Sequence, residues 1–123
     1  MTTRRIVTDL QAADPALSAT FYRKVLGLEV VMDQGWIVTL SDPQRPAVQL
    51  SLISADATAP EVPRASIEVA DVEAAYLAAL AAGAEIVHPL TTEPWGVRRF
   101  FLRDPDGHVI DVLAHVSEPT RRP

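Results

Sequence analysis

The chain has 123 residues, of which 48% are hydrophobic and 22% are charged, and its formal net charge is −5. These values are typical of one globular domain, and the acidic balance argues against nucleic acid as the main partner, because phosphate-binding surfaces need clustered Lys and Arg. The absence of cysteine excludes disulfides, thiolate metal sites and cysteine nucleophiles. No stretch approaches the ~18 apolar residues of a membrane span, and no signal peptide is recognised. We therefore expect a cytoplasmic protein without a membrane partner.

The first half of the chain predicts a strand, a helix and three further strands. Apolar residues alternate from Arg5 to Leu10, as in a strand with one buried face. In the helix that follows, Asp14 suits the N-cap, Pro15 the first turn and Gly27 the position just past the end. Its apolar residues fall at helical spacing: Leu17, Phe21, Tyr22, Val25 and Leu26. Three apolar stretches with turn residues between them then indicate strands: "LEVVMD", "WIVTL" and "AVQLSLI".

The second half repeats this order after a linker over residues 54–63. "RASIEV" predicts a strand, and "DVEAAYLAALAAG" predicts a helix that is capped by Asp71 and ended by Gly83. "AEIVHPL", "VRRFFLR" and "HVIDVLAHV" predict three strands, the last two joined by the turn "DPDG". We expect one domain over 1–123, with modules at about 5–53 and 64–115 and a polar tail over 117–123 that frays.

The two halves align as an internal repeat. Gly27 matches Gly83 at an offset of 56 residues, whereas "TLSDPQRPAVQLSL" matches "FLRDPDGHVIDVLA" at an offset of 62, so six extra residues fall around "TTEPWG". In this alignment Gln49 lies over Asp111. One such module leaves an open sheet that needs a partner. We therefore predict an α+β protein in which two βαβββ modules form a cupped mixed sheet, with helices on its outer face and a ligand site inside the cup.

Two motifs, "FYRKVLGLEV" and "EPWGVRRFFLRDPDGHVIDV", resemble those of the vicinal oxygen chelate superfamily, which includes glyoxalases, bleomycin-resistance proteins and extradiol dioxygenases. The resemblance extends from Arg5 to His115. It implies paired modules around a cup, and homodimers in which modules of two chains often complete each other's cavities. It also implies that metal-dependent members place four ligands, filled by His, Glu or Gln, in the first and last strands of each module. The matching positions here are Val7, Gln49, Arg64 and Asp111.

This set of residues departs from the metal-using pattern. Val7 has no donor atom and Arg64 would repel a divalent cation, so Gln49 and Asp111 remain as weak oxygen donors. A Zn, Ni or Fe site usually needs about three strong donors, most often including imidazole. We therefore expect no metal and no cofactor, in keeping with the metal-free members of the superfamily, which bind drugs or natural products.

Strand alternation sorts the side chains between the cup and the helices. Residues in step with Gln49 and Asp111 are expected to face the cup: Val7, Asp9, Ser51, Arg64, Ser66, Glu68, Leu113 and His115. The alternating apolar positions are expected to pack on the helices: Ile6, Leu10, Val48, Leu50, Ala65, Ile67, Val69, Ile110 and Val112. Arg64 and Asp111 either form a structural ion pair or orient a polar group of a ligand, and the two roles are compatible.

The two tryptophans are candidates to stack on an aromatic ligand. Trp36 starts a strand and Trp95 lies in the insertion, and packing in a core or a dimer interface is the alternative for each. Among the histidines, His115 faces the cup by alternation, whereas His88 and His108 are expected at the surface. The basic cluster before the last turn is expected to be solvated or interfacial: Arg98, Arg99 and Arg103. The candidate ligand-binding residues are Gln49, Arg64, Glu68, Asp111, Trp36, Trp95 and His115, and no catalytic residue is assigned.

The sequence thus favours a metal-independent small-molecule binding protein of the bleomycin-resistance-like type. It would hold an aromatic or natural-product ligand in the cup of a homodimer, and antibiotic resistance would follow from sequestration of that ligand. One alternative is a metal-dependent lyase, isomerase or dioxygenase of the same superfamily that uses Gln49 and Asp111. The other is an accessory dimer with no small ligand.

Overall fold

The computed structural model describes residues 2–116, so the tail predicted to fray lies outside the described residues. Within 2–116 the chain forms eight strands and two helices. Their bounds are β1 Thr3–Gln11, α1 Pro15–Leu26, β2 Glu29–Asp33, β3 Ile37–Asp42, β4 Arg45–Ile53, β5 Ala65–Val69, α2 Val72–Ala81, β6 Glu85–Thr92, β7 Val97–Arg103 and β8 Val109–His115. Each half therefore has the predicted βαβββ order, and the α+β class is confirmed.

The strands fall into two compact units. In the N-terminal unit, Val7–Ala65, the strand order is β2-β3-β4-β1, with two antiparallel pairs and a parallel pairing of β4 with β1. The C-terminal unit contains residues 2–6 and 66–116, and its order is β1-β5-β8-β7-β6. There, β6 with β7 and β7 with β8 are antiparallel. The sheet is therefore mixed, and β1 contributes residues to both units.

Local signals in the sequence fix the starts of both helices and the end of α1. The Asp14 carboxylate accepts a hydrogen bond from the Leu17 N–H at 3.2 Å, and that of Asp71 accepts one from the Ala74 N–H at 3.0 Å. Gly27 ends α1 in the left-handed conformation, with φ of 70°, and its N–H donates to the Arg23 carbonyl. These bonds satisfy backbone groups that a helix end leaves without an intrahelical partner. The predicted helix starts are confirmed.

Each unit packs its own helix against its own strands. In the C-terminal unit the core is Val69, Val72, Ala79, Phe100 and Val112, with Ile67 and Ile110 packed against it. In the N-terminal unit it is Ala19, Val38, Leu40 and Leu52. The prediction that Ile67, Val69, Ile110 and Val112 pack on a helix is confirmed.

On the first module the same prediction is wrong for three residues. Ile6, Leu10 and Val48 are exposed, Val48 at 55% of its surface. Helix α1 packs on β3 and β4, where the small side chain of Ala19 lets it approach Val38, Leu40 and Leu52. Of the predicted apolar residues of α1, Tyr22 packs against this core, but most of the others do not. Leu17, Phe21 and Val25 are all exposed.

Neither helix in the described part of the chain is long and apolar enough to cross a membrane.

Candidate ligand-binding site

The sheet of the C-terminal unit has one face covered by α2 and one face without a helix. Phe100 and Val112, which are paired across β7 and β8, belong to the core under α2. Their neighbours in sequence point the other way. The register pairs Phe101 with Asp111, so these two side chains share the second face. We call this second face the helix-free face.

Asp111 is buried on the helix-free face, with 7% of its surface exposed. Its Oδ2 atom accepts a hydrogen bond from the Ser66 hydroxyl at 3.0 Å. The carboxylate can occupy a position in this apolar strand because its side chain points away from the core under α2. Arg64, its predicted ion-pair partner, is exposed and immediately precedes β5, and its carbonyl accepts a hydrogen bond from the Asp9 N–H at 3.0 Å. The ion pair stays a prediction.

Glu68 is the centre of a second polar group on this unit. Its Oε1 atom accepts a hydrogen bond from Arg5 Nε at 2.6 Å, and its Oε2 atom lies 2.9 Å from Nδ1 of the exposed His115. Burial raises the pKa of Glu68, but the hydrogen bonds and positive charges of His115 and Arg5 outweigh burial, so the pKa lies below its ordinary value. Sequence reasoning missed Arg5, although it is in step with Val7 and Asp9 along β1.

A third polar cluster was not predicted. Glu93 Oε2 accepts a hydrogen bond from Arg99 Nε at 2.7 Å and lies 2.9 Å from His88 Nε2. All three residues are buried, with Glu93 and Arg99 each 4% exposed. The surface position predicted for His88 and the solvated or interfacial position predicted for Arg99 are therefore wrong. The reason is the register, which pairs His88 with Phe101 and Arg99 with Leu113, so both point to the helix-free face.

Trp95 lies on a tight turn above this cluster. Strand β6 continues to Thr92, and "EPWG" closes the hairpin: the Gly96 N–H donates to the Glu93 carbonyl at 3.2 Å, and the Glu93 N–H donates to the Val97 carbonyl at 2.7 Å. Gly96 has φ of 92°, a conformation that favours glycine. The "DPDG" turn has the same pattern of hydrogen bonds. The predicted insertion is thus a longer strand and a tight turn.

The Arg99 guanidinium contacts two aromatic rings. Its carbon is 4.9 Å from the centre of the Trp95 ring and 4.7 Å from that of Phe101, distances typical of cation–π contacts. Trp95 itself is half-buried. The structure therefore brings four of the candidate residues into the C-terminal unit: Glu68, Trp95, Asp111 and His115.

The other three candidates belong to the N-terminal unit. Gln49 is half-buried on β4, on the side opposite Leu52 of the core, and its amide donates to the Pro46 carbonyl at 2.9 Å. Trp36 is half-buried just before β3, and its carbonyl accepts a hydrogen bond from the Ser54 N–H at 2.9 Å. Arg64 is exposed.

These residues do not fit the metal that many members of the suspected superfamily use. Of the four matching positions, Val7 and Arg64 offer no donor, and the Gln49 amide and the Asp111 carboxylate offer two. Within residues 2–116, no group of three or more His, Asp or Glu side chains is arranged to hold a metal ion. The buried histidine and glutamate of the third cluster share their site with a guanidinium, which repels cations.

The chain therefore belongs to the α+β proteins built from two βαβββ modules, each with a helix on one face of its strands. A family model described as the Glyoxalase/Bleomycin resistance protein/Dioxygenase superfamily matches residues 5–112. The chain belongs to this superfamily.

Several solved structures share the fold. A glyoxalase/bleomycin resistance protein/dioxygenase superfamily member from Vibrio splendidus is 23% identical, with a TM-score of 0.68 over 92% of this chain and 99% of that one. A methylmalonyl-CoA epimerase variant from Streptomyces coelicolor, bound to 2-nitronate-propionyl-CoA, is 18% identical, with a TM-score of 0.72 over 98% and 99%. A Legionella pneumophila structure described as an NAD-dependent benzaldehyde dehydrogenase is 17% identical, with a TM-score of 0.72 over 89% and 98%. No protein with a curated description matches the sequence.

Proposed function

We propose that this protein is a metal-independent small-molecule binding protein, whose ligand is an aromatic compound or natural product held on the helix-free face of the C-terminal unit. One observation carries the proposal. This face combines fixed polar side chains and a half-buried indole, whereas the positions that hold metal in the superfamily lack two of their four donors.

The polar groups suit a ligand with hydroxyl, amide or amine substituents. Asp111 is oriented by Ser66, and Glu68 is oriented by Arg5 and His115. Groups that are already held in place lose little conformational freedom on binding, which favours affinity and specificity. Trp95 adds a flat apolar surface on which a ring can stack.

A homodimer is also part of the proposal. It is supported by the exposed apolar stripe of α1, formed by Leu17, Phe21 and Val25. Contiguous exposed apolar surface is uncommon on monomers and often marks a protein interface. The rival accessory dimer without a small ligand shares this expectation, so ligand binding is what separates the two.

The test is the melting temperature of the purified protein in a panel of aromatic natural products that includes bleomycin. Because a ligand that binds the native state stabilises it, a true ligand raises the melting temperature in proportion to the logarithm of its concentration. We expect Asp111→Asn and Trp95→Ala to reduce the shift. The control Asp106→Asn changes an exposed turn carboxylate and should leave the shift unchanged.

Equal shifts in wild type, Asp111→Asn and Trp95→Ala would place the ligand elsewhere and contradict the proposed site. The absence of any shift across the panel would favour the accessory dimer. Resistance by sequestration further predicts that cells expressing the wild type, but not Trp95→Ala, tolerate a higher concentration of the compound that binds.

A further inference from the structure

The cluster of His88, Glu93 and Arg99 needs an explanation, because burying charged groups is unfavourable unless they are paired and hydrogen-bonded. The Glu93 carboxylate provides that pairing. Its Oε2 atom lies 2.7 Å from Arg99 Nε and 2.9 Å from His88 Nε2. A buried, hydrogen-bonded cluster restrains the side chains that contact it. Trp95 is such a side chain, since its ring contacts Arg99.

We infer that Glu93 and Arg99 are positioning residues, which hold the Trp95 indole in place as a preformed wall for a planar aromatic ligand. This inference rests on the proposed function, since the wall has a purpose only if a ring stacks on it. Neither residue needs to touch the ligand.

The geometry restrains Arg99 from several sides. Trp95 and Phe101 lie at 4.9 and 4.7 Å from the guanidinium carbon, while Glu93 holds Nε by a hydrogen bond. The His88 ring packs edge-to-face on Phe101, with ring centres 5.3 Å apart. The guanidinium is therefore held by one ion pair and two ring contacts at the same time.

The turn connects this arrangement to Trp95. Glu93 and Trp95 lie two residues apart on the same tight turn, which is closed by two backbone hydrogen bonds. Glu93 pairs with Arg99 by a charged hydrogen bond, and Trp95 contacts the same guanidinium through its ring. The indole is thereby fixed on its inner side, while Trp95 as a whole remains only half-buried. An incoming ring would meet a side chain that is already ordered.

The experiment uses the full chain carrying Trp36→Phe, which leaves Trp95 as its single tryptophan. Fluorescence anisotropy reports how freely the indole moves, and acrylamide quenching reports how accessible it is. In this background we compare Arg99→Lys and Glu93→Gln. Arg98→Lys is the matched control, because Arg98 directly precedes Arg99 in β7 but pairs with Glu73 at the surface.

We expect an immobile indole in the Trp36→Phe protein and in the Arg98→Lys control. Arg99→Lys keeps the charge but loses the planar group that contacts the Trp95 ring, so anisotropy should fall and quenching should rise about twofold. Glu93→Gln should act in the same direction. An indole that is mobile before any change at Arg99 overturns the inference even if the variants do not fold. So does an unchanged indole in folded Arg99→Lys.

The consequence for binding is measured with 8-anilinonaphthalene-1-sulfonate, an aromatic dye, counting only the component of binding that Trp95→Ala removes. We expect its Kd to rise about fivefold in Arg99→Lys, the effect of having to order one side chain on binding, and to stay constant in Arg98→Lys. An equal Kd in the wild type and Arg99→Lys overturns the inference. If Trp95→Ala removes no dye binding, the proposed function of this face fails, while the anisotropy measurement still decides whether Arg99 holds Trp95.

Discussion

Single residues show which features strand alternation predicts and which it does not. It placed Asp111 on the side of β8 away from the core, and the structure explains the acid by a hydrogen bond from Ser66 on that side. Alternation did not reveal that Arg99 and His88 are buried. The face of a strand follows from local geometry, but the depth of a side chain depends on what covers it. Here the turn after β6 places Trp95 4.9 Å and Glu93 2.7 Å from the Arg99 guanidinium, contacts that alternation along a strand does not predict.

The bond between Ser66 and Asp111 gives a first prediction. Ser66→Ala removes a donor to a buried carboxylate, so we expect the free energy of unfolding to fall by about 1–3 kcal/mol. Urea denaturation measures the change. Ser18→Ala, in α1, is the control and should change the free energy by less than about 0.5 kcal/mol. A Ser66→Ala protein as stable as the control would show that this hydrogen bond does not support Asp111.

Glu68 gives a prediction about pH. Because its pKa is lower in the folded protein, the ionised form stabilises the fold above its ordinary pKa of 4.5, and this contribution disappears as the pH falls through the folded pKa. Glu68→Gln should therefore be less stable than wild type at neutral pH, and the difference should shrink below pH 4.5. Unfolding free energies measured between pH 3 and pH 7 test this. Glu29→Gln, at an exposed carboxylate, is the control for the loss of one negative charge. A difference that stays constant with pH would argue against the ion pairs of Glu68.

At the scale of elements, the sequence predicts most of the structure because the signals are local. Asp14 and Asp71 cap helices, and "DPDG" closes a hairpin. "EPWG" is an equivalent turn, which the sequence alignment treated as part of an insertion because the extra residues of β6 precede it. The orientation of α1 was harder to predict. Its apolar stripe is real, but the face with Ala19 packs on the strands, since a small residue permits close approach.

The orientation of α1 predicts that two substitutions of large apolar residues change the free energy of unfolding by unequal amounts. Leu52 is fully buried, so Leu52→Ala should lower the free energy of unfolding by about 2–5 kcal/mol. Within one chain Phe21 is 58% exposed, so Phe21→Gln should lower it by less than about 1 kcal/mol when the protein is dilute enough to be monomeric. Urea denaturation compares the two.

Sedimentation velocity of the same proteins tests the dimer. Phe21→Gln should weaken self-association, because it removes the middle residue of the exposed stripe. Leu77→Gln, which changes an exposed apolar residue on α2, is the control. In the stability comparison of the monomeric proteins, a Phe21→Gln variant whose free energy of unfolding falls as much as that of Leu52→Ala would contradict the observed orientation of α1.

At the scale of the whole molecule, the internal repeat predicts two βαβββ modules, and the resemblance of two motifs, "FYRKVLGLEV" and "EPWGVRRFFLRDPDGHVIDV", indicates the superfamily. Function is less determined, because one fold hosts many activities. The structural relatives illustrate this, since an epimerase variant and a protein described as a dehydrogenase share the fold at 17–18% identity. For this chain the metal-independent proposal depends on Val7 and Arg64, which lie at two of the four positions where the resemblance implies ligands in metal-dependent members.

The most direct test of the central claim is the metal content of the purified protein, measured by elemental analysis together with melting temperatures in Ni, Co, Zn, Mn and Fe(II). We predict no metal in stoichiometric amount and no metal-dependent rise in melting temperature, because two oxygen donors do not make a strong site. One tightly held metal per chain, lost on Asp111→Asn, would contradict metal-independent binding and make a lyase, isomerase or dioxygenase the better account.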